Sequence, residues 1–318
     1  MSSEYFSAKN ANGANKPEIA VLVSSYNKPR HLRYCLTSLA MQRGVTSPIE
    51  VVVTDDGSDA QTLDVIAETT DEFGLAITLT THAHCGFQLA RCRNDGVRHS
   101  TAPYLLFVDG DCILPPDHVA IHLAHRRTGF VIGGDCCRLT ESDSSTITTE
   151  DLRSSRYMSL APTSEIRRLR RRHWSAWWHR WIRHPRKPSL VGNNIGIWRA
   201  DYERVNGYDE EFEGWGCEDD DLARRLRQCG IRIDSILHRT YTFHLWHAVD
   251  PTAPARWKEG RNVARLLADR PPVCTRGLRD LRDAEVRESL IPLPSMSTRV
   301  ERIHPSSARS TRSRLRVA

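Results

Sequence analysis

Short, nearly uninterrupted apolar segments alternate with segments of helical periodicity along the first half of the chain. The apolar segments have the pattern of strands covered on both faces of a parallel sheet; they are Glu18–Ser24, Ile49–Thr54, Leu75–Thr80, Tyr104–Val108 and Phe130–Gly134. Apolar residues recur at helical spacing between them, at Leu32, Cys35, Leu36 and Leu39, at Leu63, Ile66 and Ala67, and over residues 87–99. This alternation predicts a doubly wound α/β sheet with right-handed crossovers.

The second half of the chain becomes compact again at Val191. Its pattern predicts a helix at Asp220–Cys229, a strand at Ile231–Leu237 and a last helix over Arg256–Ala268. We therefore expect one large domain built from both halves of the chain.

The domain organisation follows from changes in composition. Residues 1–16 are polar without periodicity, which predicts a disordered leader, and residues 273–318 are predicted to be a basic, disordered tail. Residues 17–135 and 191–272 form the two halves of the domain. Residues 136–190 are a variable insert between the two halves.

The formal net charge of +6 is unevenly distributed. Residues 165–188 carry a net charge of +8 and residues 286–318 one of +5, so the rest of the chain carries −7. An acidic body with two basic segments excludes a uniformly basic domain that coats nucleic acid.

Cysteine spacing and hydropathy indicate the cellular compartment of the protein. The nine cysteines are an odd number without a CxxC pair, which argues against a disulfide framework and a thiolate zinc site and predicts reduced, mostly buried thiols. The sequence shows neither a signal peptide nor a run of 18 apolar residues. We therefore expect a cytoplasmic protein.

Acidic residues follow two of the predicted strands. Asp55 and Asp56 end the second strand, and Asp109 and Asp111 end the fourth. In such sheets ligands bind beyond the carboxyl ends of the strands, so the four carboxylates should converge on one crevice. Two carboxylates one residue apart can bind a divalent cation that also holds a diphosphate, although such a pair is also common in solvated turns. The absence of a glycine-rich phosphate loop argues against dehydrogenases and P-loop enzymes.

A second acidic cluster opens a predicted helix, in the sequence GWGCEDDDL at residues 214–222. Four acids at a helix N-terminus are electrostatically favourable, so helix capping would explain them. Capping does not explain the preceding Gly-Trp-Gly, which places an aromatic ring beside the carboxylates. Further on, His244 and His247 in FHLWH could supply an imidazole to a metal, although such a pair in isolation is more often structural.

Taken together, these motifs resemble the nucleotide-sugar glycosyltransferases of family 2. The matching segments are VSSYN (23–27), VVVTDDGS (51–58), GFQLARCRNDG (86–96), VDGDCI (108–113), VGNNIGIWRADYERVNGYDEEFEGWGCEDDDL (191–222) and FHLWH (243–247). The resemblance implies a GT-A fold, which is a single Rossmann-like, doubly wound mixed sheet with an acceptor-binding carboxy-terminal half. That half is similar to the galactosyltransferase-type region, in which an Asn-rich element and a W-G-x-E-D element build the acceptor site.

The resemblance also implies roles on the donor side. Ser24 and Tyr26 line the base pocket, with Tyr26 as the platform for uracil stacking. Asp56 reads the edge of the base, and Asp55 supports it. The positions near the diphosphate and the sugar are Arg93 and Asn94.

The metal and acceptor sites are implied in the same way. Asp109 contacts the ribose or the metal, and Asp111 ligates the metal, which is Mn²⁺ or Mg²⁺. Either His244 or His247 completes the coordination. The residues implied to hold the donor sugar and the acceptor are Asn193, Asn194, Trp215 and Glu218, and the catalytic base is Asp219.

The activity implied is that of a metal-dependent, inverting glycosyltransferase. Its donor is a nucleotide sugar, in particular a UDP-sugar, and its acceptor is a hydroxyl of a glycan or glycolipid. Retaining GalNAc-transferases carry Asn at the position of Asp219, so the aspartate favours inversion. The alternatives are a small-molecule or protein acceptor, a catalytically silent nucleotide-sugar binder, or a nucleic-acid adaptor using the basic tail. A silent binder needs no acceptor-side base, so the intact carboxylates argue against it.

Residues 163–184 form a basic, tryptophan-rich segment between Pro162 and Pro185. The prolines bound a predicted helix with Ser164 as N-cap and Glu165 in the first turn. At about 100 degrees per residue, half of the chain's eight tryptophans form one stripe of this helix; they are Trp174, Trp177, Trp178 and Trp181.

Basic residues flank this tryptophan stripe. The opposite side of the predicted helix carries Arg172, His179, Arg180 and Arg183. Arg167, Arg170 and Arg171 project on the aromatic side and would have to snorkel. The pattern is typical of an interfacial helix on an anionic membrane, which would place the protein on the inner face of that membrane. Alternatively, the tryptophans pack on the core or line the acceptor groove; nucleic acid is not an expected partner.

Overall fold

The computed structural model of the protein describes residues 16–249, 253, 260–281 and 299–304. The strands are, in chain order, β1 (Ile19–Ser25), β2 (Ile49–Asp55), β3 (Ile77–Thr81), β4 (Tyr104–Asp109), β5 (Cys112–Ile113), β6 (Phe130–Gly133), β7 (Cys136–Arg138), β8 (Asn194–Trp198), β9 (Arg232–Ser235), β10 (Thr242–His244) and β11 (Arg299–Ile303). The helices are α1 (Pro29–Ala40), α2 (Ala60–Phe73), α3 (Leu89–Arg98), α4 (His118–His125), α5 (Glu141–Thr146), α6 (Thr149–Arg153), α7 (Thr163–Trp181), α8 (Arg199–Arg204), α9 (Glu218–Gln228) and α10 (Val263–Leu267), with a 3₁₀ helix at Arg156–Leu160.

A mixed sheet of eight strands, in the order β11-β3-β2-β1-β4-β8-β6-β9, forms the centre of the domain. β3, β2, β1 and β4 are parallel, with Val21 of β1 opposite Val51 of β2 and Leu106 of β4. β8 runs antiparallel to both β4 and β6 and pairs Asn194 with Val108. The carboxyl end of β4 and the amino end of β8 therefore meet at one edge of the sheet.

Helices cover the sheet on both faces, and the residues of β1 show why the strands are apolar throughout. Ile19, Val21 and Val23 pack in one hydrophobic cluster with residues of α1 and α2. Ala20 and Leu22 pack in a second cluster with residues of α3, α8 and α9. Because successive side chains of a strand point to opposite faces, both sets must be apolar, as the sequence pattern predicted.

Polar residues between the strands set the ends of α2. The Asp59 carboxylate accepts a hydrogen bond from the Thr62 backbone N–H at 2.9 Å and so caps the first turn. Gly74 ends the helix with a φ of 67°, in the left-handed region that glycine adopts without strain. The helix therefore occupies the connection between β2 and β3 that the sequence predicted to be helical.

The insert at 136–190 is ordered and packs against the carboxy-terminal half. Its strand β7 joins a small second sheet in the order β5-β10-β7. Tyr157 and Leu169 of the insert share a third hydrophobic cluster with Phe243 of β10. This cluster supports the strand that ends at His244. The boundaries of the insert and of the two halves stay predictions.

The prediction that residues 273–318 are disordered is wrong for two stretches. Residues 273–281 pack on the domain, where the Leu278 N–H donates to the Asn206 carbonyl at 2.8 Å. β11 pairs antiparallel with β3 and buries Ile303. Composition was misleading here because three of the five residues in this short edge strand are charged. The leader at 1–15, residues 256–259 of the predicted last helix and the remaining tail lie outside the described residues.

The helix predicted between the two prolines is α7, but its first residue differs from the prediction. α7 begins at Thr163, so Pro162 and not Ser164 occupies the N-cap position. All four tryptophans of its stripe are exposed, so the alternative in which they pack on the core is wrong. Within the described part of the chain, no helix is both long enough and apolar enough to cross a bilayer.

The nine cysteines all lie within the described residues and are free thiols. Six of them are buried, and Cys85 is exposed. Burial raises the pKa of most of these thiols, to about 12 for Cys137, so they behave as small apolar side chains. That the cysteines are reduced in the cell stays a prediction of the sequence.

Candidate active site

One buried arginine holds three carboxylates at the sheet edge where β4 ends. Arg93 on α3 lies 2.9 Å from Asp219, 3.3 Å from Glu218 and 3.3 Å from Asp109. Asp109 ends β4, whereas Glu218 and Asp219 open α9 in the second half of the domain. These ion pairs join the two halves at one crevice. The Arg93 guanidinium is buried and engaged by the protein's own carboxylates, and its predicted place near the donor diphosphate stays a prediction.

The Asp219 carboxylate accepts hydrogen bonds at both oxygens. The Tyr208 hydroxyl and Arg93 donate to Oδ1 at 2.8 and 2.9 Å, and the Gly192 N–H donates to Oδ2 at 2.7 Å. A methyl group at Gly192 would lie 2.0 Å from an Arg93 nitrogen, so glycine is required for this close approach. Gly192 is the one donor to Oδ2 among the described residues, and the side chain stays 21% exposed. Oδ2 can therefore accept a further hydrogen bond.

Glu218 and Asp109 contact the same arginine as Asp219, but burial raises the pKa of both. Burial, followed by the charge of Asp219, raises the pKa of Glu218 to about 7. Burial also raises the pKa of Asp109, with Arg93 opposing that effect. Neighbouring carboxylates with unequal environments are characteristic of sites that move protons.

Asp111, two residues after Asp109, faces two histidines. One Asp111 oxygen lies 3.1 Å from His247 Nε2 and the other lies 3.4 Å from His244 Nε2. The ligand atoms of the three residues lie within 4.8 Å of one another. β10 brings His244 here because it pairs with β5, where His244 is opposite Cys112. The sequence left open which histidine joins Asp111; the structure brings both to it.

The groups around Asp111 keep its carboxylate ionised, as a metal ligand must be. Although burial opposes it, His244, His247 and Lys28 hold the pKa of Asp111 well below its usual range, and Lys28 Nζ lies 2.9 Å from Oδ2. A hydrogen bond to Asp111 raises the pKa of His247. One carboxylate and two imidazoles form a mixed donor set that fits Mn²⁺ better than Mg²⁺, which favours oxygen ligands. Asp109 faces the buried arginine and is not a member of this group.

The predicted base pocket contains stacked rings beside a buried carboxylate. The Tyr26 and His84 rings are stacked with centroids 4.2 Å apart and an interplanar angle of 11°. Asp56 Oδ1 lies 3.0 Å from His82 Nε2, and Asp56 Oδ2 accepts from the Gln88 N–H at 3.2 Å. Sequence reasoning missed His82 and His84, which lie after β3 in the segment THAH. The two histidines flanking one alanine were the available signal.

Asp55 stabilises the loop that carries Asp56. Its Oδ2 accepts from the backbone N–H groups of Gly57 and Ser58 at 3.1 and 2.8 Å, and from the Thr81 hydroxyl at 2.8 Å. This carboxylate therefore supports the pocket by holding its backbone. The other residue predicted at the base pocket, Ser24, is partly exposed, with its Oγ 3.4 Å from Thr54 Oγ1.

Asn94 does not face the crevice, so its predicted contact with diphosphate or sugar is wrong. Its amide donates to the Tyr208 carbonyl and to the Glu210 carboxylate, both at 2.9 Å. Its oxygen accepts from the Tyr202 hydroxyl at 2.6 Å and from the Tyr208 N–H at 3.0 Å. All four hydrogen-bonding positions of the amide are satisfied within the buried core. Asn94 therefore positions the segment that carries Tyr208.

Asn193 and Asn194, just before and at the start of β8, have different hydrogen-bond partners. Asn194 is fully buried, and its oxygen accepts from His122 at 2.9 Å and from His118 at 3.3 Å, so its predicted contact with sugar or acceptor is wrong. Asn193 Nδ2 lies 3.1 Å from Cys136 Sγ, and its buried oxygen has no hydrogen-bond partner in the described part of the chain. Asn193 remains a predicted substrate contact, as does Trp215, which is 45% exposed.

Comparison with known proteins identifies the family of this chain. Residues 20–177 match the family model "Glycosyl transferase family 2", and residues 172–248 match the model "N-terminal domain of galactosyltransferase". The two matches meet in α7 and together cover both halves of the crevice. The chain therefore belongs to the family 2 glycosyltransferases and has a galactosyltransferase-type carboxy-terminal region.

Individual relatives are similar over different lengths. Validoxylamine A glucosyltransferase of Streptomyces hygroscopicus subsp. jinggangensis is 30% identical over 238 residues, which are 68% of this chain and 52% of the relative. Beta-1,4-galactosyltransferase 2 of Cricetulus griseus is 40% identical over 45 residues, 14% of this chain and 12% of the relative. The chain thus spans about half the length of the validoxylamine A glucosyltransferases that it matches.

A solved structure supports the fold. The mannosyltransferase from Pyrobaculum calidifontis in complex with GDP-Man and Mn²⁺ superimposes with a TM-score of 0.50 at 19% identity, over 69% of this chain and 55% of that one. This confirms the GT-A fold that the sequence motifs predicted.

Proposed function

We propose that the protein is a metal-dependent, inverting glycosyltransferase that moves a sugar from a UDP-sugar to a hydroxyl of a glycan or glycolipid. The observation that carries the proposal is that a candidate metal-binding group and a candidate general base lie at the same edge of the sheet. Asp111, His244 and His247 could together hold a cation, and Asp219 contacts Arg93, which also pairs with Asp109, two residues before Asp111. Donor and acceptor chemistry would then meet at the crevice between the two halves.

Asp219 is the general base of the proposed reaction. It takes the proton from the acceptor hydroxyl while the hydroxyl oxygen forms its bond to the anomeric carbon. The bond from that carbon to the diphosphate breaks on the opposite face, so the configuration inverts and the nucleoside diphosphate leaves with the bonding electrons. Oδ2 is the oxygen for this role, because Gly192 is its one donor among the described residues. Tyr208 and Arg93 hold the other oxygen in place.

Asp111, His244 and His247 are the residues that would hold the divalent cation. When bound, this cation would supply positive charge that stabilises the leaving diphosphate. The two imidazoles favour Mn²⁺ over Mg²⁺ for this site. Lys28, 2.9 Å from Asp111, would add a second positive charge near the phosphates.

The uridine specificity rests on the pocket beside β1 and β2. Tyr26 offers a ring for stacking, and Asp56 offers a carboxylate to the N–H edge of uracil. His82 Nε2 lies 3.0 Å from Asp56 Oδ1 on the buried side, and the Gln88 N–H donates to Asp56 Oδ2. This arrangement supports a pyrimidine nucleotide.

A second candidate keeps the reaction and changes the acceptor. The relative that is 30% identical over 68% of the chain is named for one compound, validoxylamine A. This favours a small-molecule acceptor as the alternative to a glycan.

The experiment is a donor screen followed by a transfer assay on the full chain. Thermal unfolding is measured with UDP-, GDP-, dTDP- and CMP-sugars, each with Mn²⁺ and with EDTA, because a ligand that binds the native state raises the melting temperature. We expect stabilisation by a UDP-sugar that EDTA abolishes. Release of UDP is then compared with glycan and small-molecule acceptors, and the anomeric configuration of the product is determined by NMR. Stabilisation by other nucleotides alone, or a retained configuration, would contradict the proposal.

A further inference from the structure

The carboxy-terminal part of α7 exposes a continuous aromatic surface, which we call the aromatic face. It consists of five large apolar side chains that are 44 to 67% exposed; they are Trp174, Trp177, Trp178, Trp181 and Ile182. Indole rings left this exposed forgo the favourable free energy of burying apolar surface, unless a partner covers them. Four tryptophans on adjacent turns of one helix therefore indicate a docking surface.

Unpaired cations extend the aromatic face along the same side of the helix. Arg167, Arg170 and Arg171 are exposed and form no ion pair with any residue that the structure describes. At 100 degrees per residue they lie on the tryptophan side, one to two turns earlier. Three further exposed basic residues follow the helix, at Arg183, Arg186 and Lys187. The aromatic face is thus flanked by positive charge at both ends.

The remaining arginines of α7 point the other way and bind the domain. Arg168 lies 2.7 Å and Arg172 3.4 Å from the buried Asp135. Arg180 pairs with Asp234 at the end of β9. The sequence assigned the lipid-facing charge to the side of Arg172 and Arg180; the structure assigns it to the side that carries the tryptophans.

Packing fixes the direction in which the aromatic face points. Leu169 and Ala176 are buried against the domain, and Leu169 belongs to the cluster that includes Phe243 of β10. The Glu165 carboxylate accepts from the Arg138 N–H of β7 at 3.0 Å. α7 is therefore a rigid part of the domain, and a surface that binds the aromatic face would orient the crevice as well.

We propose that the aromatic face of α7 docks the protein on a lipid bilayer that contains anionic headgroups. Indole rings favour the boundary between hydrocarbon and water, because an apolar body and one N–H donor suit both sides. Arginines in the same plane contact lipid phosphates while their stems remain over the hydrocarbon. A partner that matches this face therefore has a negatively charged surface and an apolar interior just below it. This inference does not depend on glycosyl transfer, because it uses neither the carboxylates nor the histidines of the crevice.

Vesicle flotation of the full chain tests the proposal. We expect the protein to float with phosphatidylcholine vesicles that contain phosphatidylglycerol, to bind far less to phosphatidylcholine alone, and to be released by high salt. Trp177→Ser/Trp178→Ser should lower the partition coefficient by about tenfold or more. Arg167→Gln/Arg170→Gln/Arg171→Gln should lower it by about a hundredfold, from roughly 1 kcal/mol for each cation near the surface.

A charge-matched control uses three exposed arginines outside α7, in Arg43→Gln/Arg204→Gln/Arg239→Gln. It has the same net charge as the triple variant of α7 and should keep near-wild-type flotation. Thermal unfolding of each variant, measured without vesicles, separates loss of binding from loss of fold.

Three outcomes would overturn the proposal. The first is that the wild-type protein does not float with either kind of vesicle. The second is that the control loses as much binding as the α7 variants, and the third is that the tryptophan variant floats as well as the wild type. A dimer in solution that the same two tryptophan substitutions dissociate would assign the aromatic face to a second copy. Binding of a nucleic-acid oligomer in preference to the anionic vesicles would assign it to that class. Because none of these readouts measures sugar transfer, failure here leaves the proposed reaction to its own test.

Discussion

The guanidinium of Arg93 lies 2.9 Å from the carboxylate of Asp219, although 126 positions separate the two residues in the chain. Arg93 belongs to the helix after β3, and Asp219 belongs to the first turn of α9. The pair therefore exists when both halves of the domain have folded and docked. Because the contact also positions the proposed base, it would serve both the stability of the fold and the proposed reaction.

Replacing the proposed base should separate binding from transfer. Asp219→Asn keeps the size of the side chain but cannot accept a proton at neutral pH, so we expect the rate of transfer to fall by about 10²- to 10⁴-fold. Donor affinity should stay within about twofold, because the cation group does not include this residue. Transfer rates and UDP-sugar affinity by calorimetry check both parts. Asp220→Asn, one residue along the same helix, is the control and should retain most activity; a fully active Asp219→Asn enzyme would remove this residue from the mechanism.

Removing the cation ligand should abolish metal-dependent donor binding. Asp111→Ala is expected to bind UDP with the same low affinity in Mn²⁺ and in EDTA, and His247→Ala should weaken the Mn²⁺ effect, since each removes one of three grouped ligands. For the wild type, Mn²⁺ should support tighter binding than Mg²⁺ because two of the ligands are imidazoles. Titration calorimetry of UDP measures both effects. His125→Ala, an exposed histidine on α4, should behave as wild type; equal responses in all three variants would place the cation elsewhere.

Glu218 should make stability depend on pH. Its folded-state pKa of about 7 exceeds the ordinary value because of burial and then Asp219, while Arg93 and Asp109 also face it. Between roughly pH 4.5 and 7 the folded state therefore keeps a proton that the unfolded state has released, so stability falls as the pH rises through that window. The contribution is about 3 kcal/mol over the full window.

Comparison with Glu218→Gln isolates this effect from other titrating groups. The neutral amide cannot lose a proton, so the difference in unfolding free energy between variant and wild type should increase with pH up to about 7 and then level off. Chemical denaturation at a series of pH values measures that difference. A difference that stays constant from pH 5 to pH 8 would show that Glu218 titrates normally.

Replacing the buried Arg93 should lower the free energy of unfolding far more than replacing Arg91 on the same helix. Arg93→Met leaves three carboxylates together without a counter-charge, which we expect to destabilise the fold by about 3–5 kcal/mol. Arg91→Met, on the same helix, breaks a longer 3.8 Å contact with Asp95 and should cost less than about 1 kcal/mol. Urea unfolding of both variants checks the contrast. Lower pH should partly restore Arg93→Met, because the released carboxylates then become neutral.

The edge strand β11 offers a test of the ordered part of the tail. Ile303 is 4% exposed and packs in the core cluster beneath β3, so Ile303→Ala should cost about 2–5 kcal/mol. Val300 on the same strand is 44% exposed, and Val300→Ala should change stability by less than about 0.5 kcal/mol. Similar effects from the two substitutions would argue against the pairing of β11 with β3.

The parts of the fold that sequence predicted share one physical cause. β1, β2 and β4 are covered on both faces, so consecutive positions along most of each strand are apolar, and such segments are visible without any knowledge of their neighbours. β5, β7 and β10 have two or three residues each and are defined by pairing with distant segments. No periodicity can develop over so few residues. The same holds for β11, whose charged residues had indicated disorder.

The candidate site shows a similar limit at the level of side chains. Motif position located the backbone of Asp111, His244 and Asp219 correctly at one edge, because it depends on where strands and helices end. It did not reveal which side chains turn inward, and Asn94 and Asn194 are buried in hydrogen-bond networks instead of facing the crevice. The direction of a side chain depends on partners such as Tyr202 and His122 that lie outside its motif.

The contact between Gly192 and Arg93 has a consequence for comparing related sequences. A β-carbon at position 192 and the guanidinium of residue 93 require the same volume, so the two positions cannot vary independently. A relative with any larger residue at the first position has no room for the guanidinium where it lies here, so its arginine is absent or displaced. Glycine at 192 together with arginine at 93 therefore marks, from sequence alone, the relatives in which this arrangement of acids can form.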